Sequence, residues 1–390
     1  MVHAFSSGHH NGYTASTGSA ACRAAIAELH SQGTSPLSRD DVFVTVGCSE
    51  ALEHCIAVLA APGSNVLLPR PGFPLYETIC RRHGVECRFY NLMPECGWEV
   101  DVDSVRQLAD ASTAAILINN PSNPCGAVYS REHLEDVVAI AKELKLPLVA
   151  DEVYAGMTFG KRFVPLAEVA DSVPVFSVGA LSKRWLVPGW RLGWVCVHDS
   201  HDTLQGSGVR VAINSLCQIS LGPSVPLQAA VPTILATDDS TWLAEIMGSL
   251  REGAEFSAHR VSNIKGLSTV TPPEGAMYVL VRVDLDAFRG CSTDTLFAEE
   301  LLAEESVLVL PGECFKASGF IRIVTTVPLD VLQAAWDRIE DFCGRRYVET
   351  ASTDEGRLVL SEGQRQFGLP RVASDLGGHE GLLLKPPLAR

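Results

Sequence analysis

The sequence predicts an α/β fold: a large domain with a mainly parallel sheet flanked by helices, then a smaller α+β C-terminal domain. Three observations lead there. Between residues 42 and 197, short apolar runs of strand length alternate with helical stretches, the pattern of a sheet wrapped by helices. Polar, glycine- and proline-containing motifs follow the ends of those runs, where ligands gather in open parallel sheets. Beyond residue 197 the pattern turns helical, and from residue 274 it becomes strand-rich.

Taken in order, residues 1–11 are small and polar with three histidines and read as a flexible lead-in. The loop NGYTASTG (11–18) opens a helix over 19–30. A strand over 42–46 turns through Gly47, Cys48 and Ser49 into a helix over 51–60. The strand over 65–69 leads to RPGFPLY (70–76), and strand, helix and strand follow at 85–90, 102–109 and 114–118. NNPSNPCG (119–126) then precedes a helix over 131–144. The apolar run 146–150 ends in Asp151-Glu152-Val153-Tyr154. Runs at 173–178 and 192–197 read as buried strands around the loop SKRWLVPGWRLGW (182–194), whose Pro-Gly pair marks a turn. Helices over 202–219, 224–236 and 242–264 follow, the last passing into the smaller domain. A helix over 293–304 and strands at 307–310 and 320–324 complete that domain. The predicted division is a lead-in (1–11), a large domain (12–240), an interdomain helix with the small domain (241–346), and an irregular tail (347–390) of glycine, serine, proline and charge.

A chain of 390 residues can bury roughly three quarters of its unfolded surface. Its 46% hydrophobic and 20% charged residues are those of a globular protein. The net charge of −15 argues against nucleic acid and anionic membranes as partners, which need a positive face. Any anionic ligand must therefore be held by local donors. The 12 cysteines show neither CxxC pairs nor zinc-type spacing, so no metal site is expected. Several, such as Cys55, Cys196 and Cys217, sit in apolar runs as small hydrophobes, the usage of a reducing compartment, with the cytoplasm as the expected location. No run is long enough to span a membrane, and residues 1–10 lack the plan of a secretory signal.

The chemistry centres on Lys183 and Arg191. A lysine against an aliphatic and aromatic wall loses hydration, which disfavours its ammonium form and prepares the amine to attack an aldehyde. Arg191 cannot shed its charge and suits a dianionic phosphate. An aldehyde and a phosphate on one molecule suggest pyridoxal phosphate. Gly47, Cys48 and Ser49, at a strand-to-helix junction, offer free N–H groups and the helix dipole to an anion. Asp151, ending an apolar strand, is costly unless it faces a cation, and a protonated pyridine nitrogen is one. Arg322 interrupts an apolar strand and needs an anion; a carboxylate meets its geometry with two parallel hydrogen bonds.

The string SKRWLVPGWRLGW closely resembles the lysine segment of the tyrosine and nicotianamine aminotransferases, within the fold-type I pyridoxal-phosphate enzymes of aminotransferase classes I and II. The resemblance covers about residues 12–345. It implies that Lys183 is the Schiff-base lysine, that Arg191 binds the phosphate, and that Gly47, Cys48 and Ser49 form the phosphate cup. It makes Phe73 the ring-stacking aromatic, and Asn123 and Tyr154 the partners of the ring hydroxyl. Asp151 then faces the ring nitrogen, Arg322 clamps the substrate's α-carboxylate, and Tyr13 reaches across a homodimer to the neighbouring subunit's phosphate. Glu152 is expected to turn away, toward solvent or a structural partner. Many relatives carry a phosphate-binding serine where this chain has Ala180; Ser177 or Ser182 could compensate.

The implied activity is transfer of the amino group of an aromatic L-amino acid, tyrosine foremost, to 2-oxoglutarate or pyruvate by a ping-pong route. Small-molecule amino and oxo acids and a second copy of the chain are the expected partners. The family's arm upstream of the NGY loop has no counterpart here, which implies either an incomplete sequence or a more open site. Two alternatives stay open at this point: a carbon–sulfur lyase on the same scaffold, and a non-catalytic partner of a full-length subunit.

Overall fold

The computed structural model describes residues 1–31 and 36–349. Eight strands form the large sheet: β1 (Val42–Thr45), β2 (Asn65–Arg70), β3 (Glu86–Met93), β4 (Glu99–Val100), β5 (Thr113–Asn119), β6 (Leu148–Asp151), β7 (Val175–Ala180) and β8 (Gly193–His198). Their order is β1-β8-β7-β6-β5-β2-β3-β4. The central run β7-β6-β5-β2-β3 is parallel throughout. β8 is antiparallel to both neighbours, and β4 pairs antiparallel on β3 at the edge. The cause lies in the connections: a parallel neighbour needs a crossover, usually an α-helix, and the loop between β7 and β8 holds only a three-residue 3-10 turn, Pro188–Trp190.

Twelve helices frame the two sheets among the described residues: α1 (Val2–Ser6), α2 (Ala20–His30), α3 (Gly47–Leu59), α4 (Leu75–Arg82), α5 (Val102–Leu108), α6 (Arg131–Leu144), α7 (Leu166–Val169), α8 (Val209–Ser220), α9 (Val225–Ala236), α10 (Ser240–Asn263), α11 (Asp294–Glu305) and α12 (Leu329–Arg346). Side chains alternate across the sheet. In β5, Ile116 and Ile118 pack with α5, α6 and α7, while Ala115 and Leu117 pack with α3, α4 and α8. In β8, Trp194 and Cys196 meet α2 and α9, and Val195 and Val197 meet the α3 side. Both faces are covered, which explains why the strands read as continuous apolar runs.

Helix starts follow local chemistry. Ser19, Asp101, Ser130 and Thr293 cap α2, α5, α6 and α11, each side chain accepting from a backbone N–H one turn on. Such a cap is worth about 1 kcal/mol. Two helices begin elsewhere than the pattern suggested. α3 starts at Gly47, so Gly47, Cys48 and Ser49 form its first turn. α8 starts at Val209, because Gly206 and Gly208 take positive φ and the Asp199 carboxylate accepts from the N–H of Thr203 and Leu204, holding 199–208 in turns. Val2–Ser6, within the stretch expected to be a flexible lead-in, form the short α1.

The small sheet runs β11-β12-β10-β9, with β9 (Leu267–Ser268), β10 (Tyr278–Val283), β11 (Leu310–Pro311) and β12 (Phe320–Val324), all paired antiparallel. Val279, Val281, Ile321 and Ile323 pack on α10, α11 and α12 around the buried Trp336. Leu280 and Phe320 instead join the core of the large sheet, where the Phe320 ring meets Trp98 edge to face at 5.8 Å. That contact joins the small sheet to the turn between β3 and β4. Of the predicted tail, residues 350–390 lie outside the described residues. Among the described residues no helix is long and apolar enough to cross a membrane.

Candidate active site

Three adjacent parallel strands carry the site at their carboxyl ends. Their register pairs Asn119 with Asp151 and Asp151 with Val178, so the NNPSNPCG loop, the DEVY turn and the lysine loop emerge side by side. They surround a cavity of about 220 Å³ lined by Cys48, Ser49, Phe73, Asn123, Asp151, Tyr154, Ser182, Lys183, Arg191 and Arg322, with Tyr76, Asn119 and Tyr278. Residues far apart in sequence thus meet in one place: across 199 positions, Arg322 Nη1 donates to Asn123 Oδ1 at 2.7 Å.

The lysine loop is fixed at several points. Leu181 N–H donates to Leu192 O at 3.1 Å, closing its base. The Arg184 guanidinium holds Asp239 through two bonds of 3.1 and 2.8 Å, tying the loop to the start of α10. Lys183 is half-buried, with Nζ 5.5 Å from the centre of the Tyr154 ring. Arg191 adopts a left-handed conformation, φ +50°, and donates from Nη1 to Pro188 O at 2.9 Å. That places its guanidinium against Gly47, where a Cβ would stand 2.4 Å from Arg191 Nη2. Only glycine, itself at φ +77°, lets this arginine pack directly on the start of α3.

Asp151 is 3% exposed. Its Oδ2 accepts from Tyr76 OH at 2.6 Å, and its Oδ1 from Val153 N–H at 3.2 Å and Cys48 Sγ at 3.7 Å. Burial still raises its pKa above the ordinary carboxylate value, against the pull of those donors and of Lys183. The carboxylate is oriented but not fully compensated, as expected of a group that awaits a cation. Burial likewise drives the Tyr76 phenol and the Cys48 thiol well up, with the Asp151 charge adding to both; both stay protonated as donors. Arg322 shows the complementary deficit. It stacks on Tyr278 and Phe315, at 4.3 and 4.6 Å from the ring centres, its Nε is buried without a partner among the described residues, and burial lowers its pKa.

The profile of the family described as Aminotransferase class I and II matches residues 2–339. The chain belongs to that aminotransferase family. Tyrosine aminotransferase of Homo sapiens is 42% identical over 348 residues, which cover 89% of this chain and 76% of that protein. Nicotianamine aminotransferase 1 of Oryza sativa subsp. japonica is 39% identical over 88% of this chain and 70% of that protein. The solved tyrosine aminotransferase of Leishmania infantum superposes with a TM-score of 0.86 at 32% identity, over 89% of this chain and 86% of that one. None of these is a lyase, so the carbon–sulfur alternative gains no support.

In this aminotransferase the structure brings together most of the residues singled out from sequence. Tyr13 stands apart, with 92% of its surface exposed. Of the two serines proposed to stand in at Ala180, Ser182 lines the cavity, whereas Ser177 is buried in β7 and bonded to His198 Nε2 at 2.9 Å. Tyr76, Tyr278 and Asn119 were not singled out. Tyr76 had a signal: it lies three residues beyond Phe73, at a helix start, on the same face. Tyr278 had none, since its partner Tyr154, 2.7 Å away through the two hydroxyls, is 124 positions distant in sequence. Asn119 orients the site from behind, donating to Asp151 O at 3.0 Å and accepting from Asn123 N–H at 2.7 Å.

Glu152 does turn away from the cavity of Asp151, to a structural partner. It is 4% exposed, Oε1 accepts from Leu166 N–H at 2.7 Å, and burial lifts its pKa from 4.5 to about 7. A raised carboxyl pKa means that the folded chain holds a proton the unfolded chain releases. The associated stability is fully present below about pH 4.5 and is lost as pH rises through about 7. Glu152→Gln keeps the acceptor for Leu166 and removes the titration. In urea melts at about pH 5 and about pH 8, the parent should lose on the order of 3 kcal/mol relative to this variant; equal pH dependence would contradict the buried, raised carboxyl.

Proposed function

We propose that the cavity binds pyridoxal phosphate and that the protein transfers the amino group of an aromatic L-amino acid, tyrosine foremost, to a 2-oxo acid such as 2-oxoglutarate or pyruvate. The observation that carries this reading is the donor set: a buried, incompletely compensated carboxylate at Asp151, with Arg191 pressed on Gly47 and Arg322 lacking an acidic partner among the described residues. A ring cation, a phosphate and a carboxylate would each satisfy one of these deficits. The tyrosine aminotransferases among the relatives support the choice of donor.

When bound, the cofactor supplies an electrophilic aldehyde and a protonated ring that draws electrons from the substrate's α-carbon. The first turn of α3, at Cys48 and Ser49, and Arg191 would hold its phosphate. Asp151, oriented by Tyr76 and Cys48, keeps the proton on the ring nitrogen. Asn123 and Tyr154 would hydrogen-bond the ring hydroxyl, and Phe73 would lie against the ring. Arg322 pairs with the α-carboxylate, its Nη1 already anchored on Asn123. Lys183 Nζ would hold the cofactor's aldehyde and would serve as the base that takes the α-proton and returns it. One site serves the amino acid and then the oxo acid, the condition for ping-pong kinetics.

Residues 12–240 would act as the cofactor domain and 241–346 as the part that brings Arg322. The exposed Tyr13 supports a homodimer in which it reaches the second copy's phosphate. The cysteines, all free among the described residues, fit the cytoplasm. The test is a visible spectrum of the purified protein: its cofactor band should fall on adding tyrosine and return on adding 2-oxoglutarate. A protein that stays colourless with added pyridoxal phosphate would overturn the reading.

A further inference from the structure

The chain segments that present Asp151 and Lys183 to the catalytic cavity also wall a second one, of about 270 Å³. Val153 lines both; Glu152 and Arg184, the residues next to Asp151 and Lys183, line only the second, along with Phe163, Trp185 and Trp194. This volume lies just under the usual range for small-molecule sites, ~300–1,000 Å³. It adjoins the catalytic cavity but differs from it in charge.

The polar groups on its wall are nearly all answered. Arg184 is held by Asp239 and stacks over Trp185 at 5.2 Å. Glu168 is paired with Arg131 and Arg162. His198 bonds Ser177, and His30 Nε2 accepts from Trp194 Nε1 at 2.9 Å. Glu152 is the exception: Oε1 takes the Leu166 N–H, and among the described residues Oε2 has no partner. A carboxylate on a 4%-exposed residue in the wall of a cavity with two indoles and a phenyl ring suits a flat apolar body with a cationic or N–H donor head. A carboxylate on the ligand would meet the Glu152 charge, and the arginine on this wall, Arg184, already holds Asp239. The catalytic cavity, with Lys183, Arg191 and Arg322, has the opposite preference.

We propose that this second cavity binds an aromatic amine that lacks a carboxylate, its nitrogen on Glu152 Oε2 and its ring against Trp185 and Trp194. The proposal stands apart from the cofactor reading, since it uses none of the groups assigned to pyridoxal phosphate. Tyramine is the probe, titrated into the purified protein at about pH 8 and followed by indole fluorescence. Saturable quenching is expected, unaffected by saturating 2-oxoglutarate. A hydrogen bond to a charged group is worth about 1.5–3 kcal/mol, so Glu152→Gln should weaken binding at least about tenfold. Ala167→Trp, which fills the cavity from α7, should abolish it; a thermal melt of each variant checks that it is folded. Absence of a saturable signal, or displacement of tyramine by 2-oxoglutarate with indifference to both substitutions, overturns the proposal.

Discussion

Lys183→Ala should abolish amino transfer while leaving a folded protein that still takes up pyridoxal phosphate. The side chain is half-buried, and its removal breaks none of the ties that hold the loop, which run through Leu181, Leu192 and Arg184. The expected cost is therefore chemical. Loss of a positioned base typically costs about 10²–10⁴-fold, and here the covalent anchor of the aldehyde goes with it. Steady-state turnover of tyrosine with 2-oxoglutarate measures the first effect. Borohydride treatment followed by peptide mass analysis measures the second: the parent should carry the cofactor on Lys183 and the variant nowhere. Full turnover by the variant, or a parent adduct on another lysine, would remove Lys183 from its role.

Asp151→Asn should produce two effects of opposite sign. With cofactor, the ring nitrogen loses its counter-charge in a buried setting. Breaking a buried pair of this kind costs about 3–5 kcal/mol, which corresponds to a fall in turnover of roughly 10²–10³-fold or more. The bound cofactor's absorbance should also change its pH response, because the ring proton is no longer held. Without cofactor, the same substitution should stabilise the fold at neutral and alkaline pH. Burial raises the Asp151 pKa, so in the parent the stability tied to this group is present below about pH 4 and lost as pH rises through its folded value. Asparagine does not ionise and escapes that loss. Urea melts of the cofactor-free parent and variant at about pH 8 read the difference. A variant less stable than the parent there would mean that Asp151 is fully compensated by its protein neighbours, against the assigned role.

The lysine loop, the DEVY turn and the NNPSNPCG loop were legible because each is a local string whose composition already breaks the strand it ends. Asp151 and Arg322 were legible for a second reason: a charge within an apolar run is a deficit that can be recognised before its partner is known. Tyr278 and Asn119 were not legible, for they act through partners or backbone groups that only the folded chain supplies. Ser177 and Ser182 were equivalent candidates until their positions were known, one inside β7 facing His198, the other on the loop at the cavity.

The amino-acid sequence by itself determined the family, most of the longer strands and helices in order, and the charged groups the site would contain. It could do so because strand and helix periodicity, turn residues and isolated charges are properties of short segments. The tertiary structure alone decided that β8 runs against its neighbours, that Tyr76 and Cys48 both donate to Asp151, that Arg191 presses on Gly47, and that Glu152 faces a second cavity back to back with the first. Those outcomes depend on which segments pack together across the sheet, and burial then fixes what each charge costs.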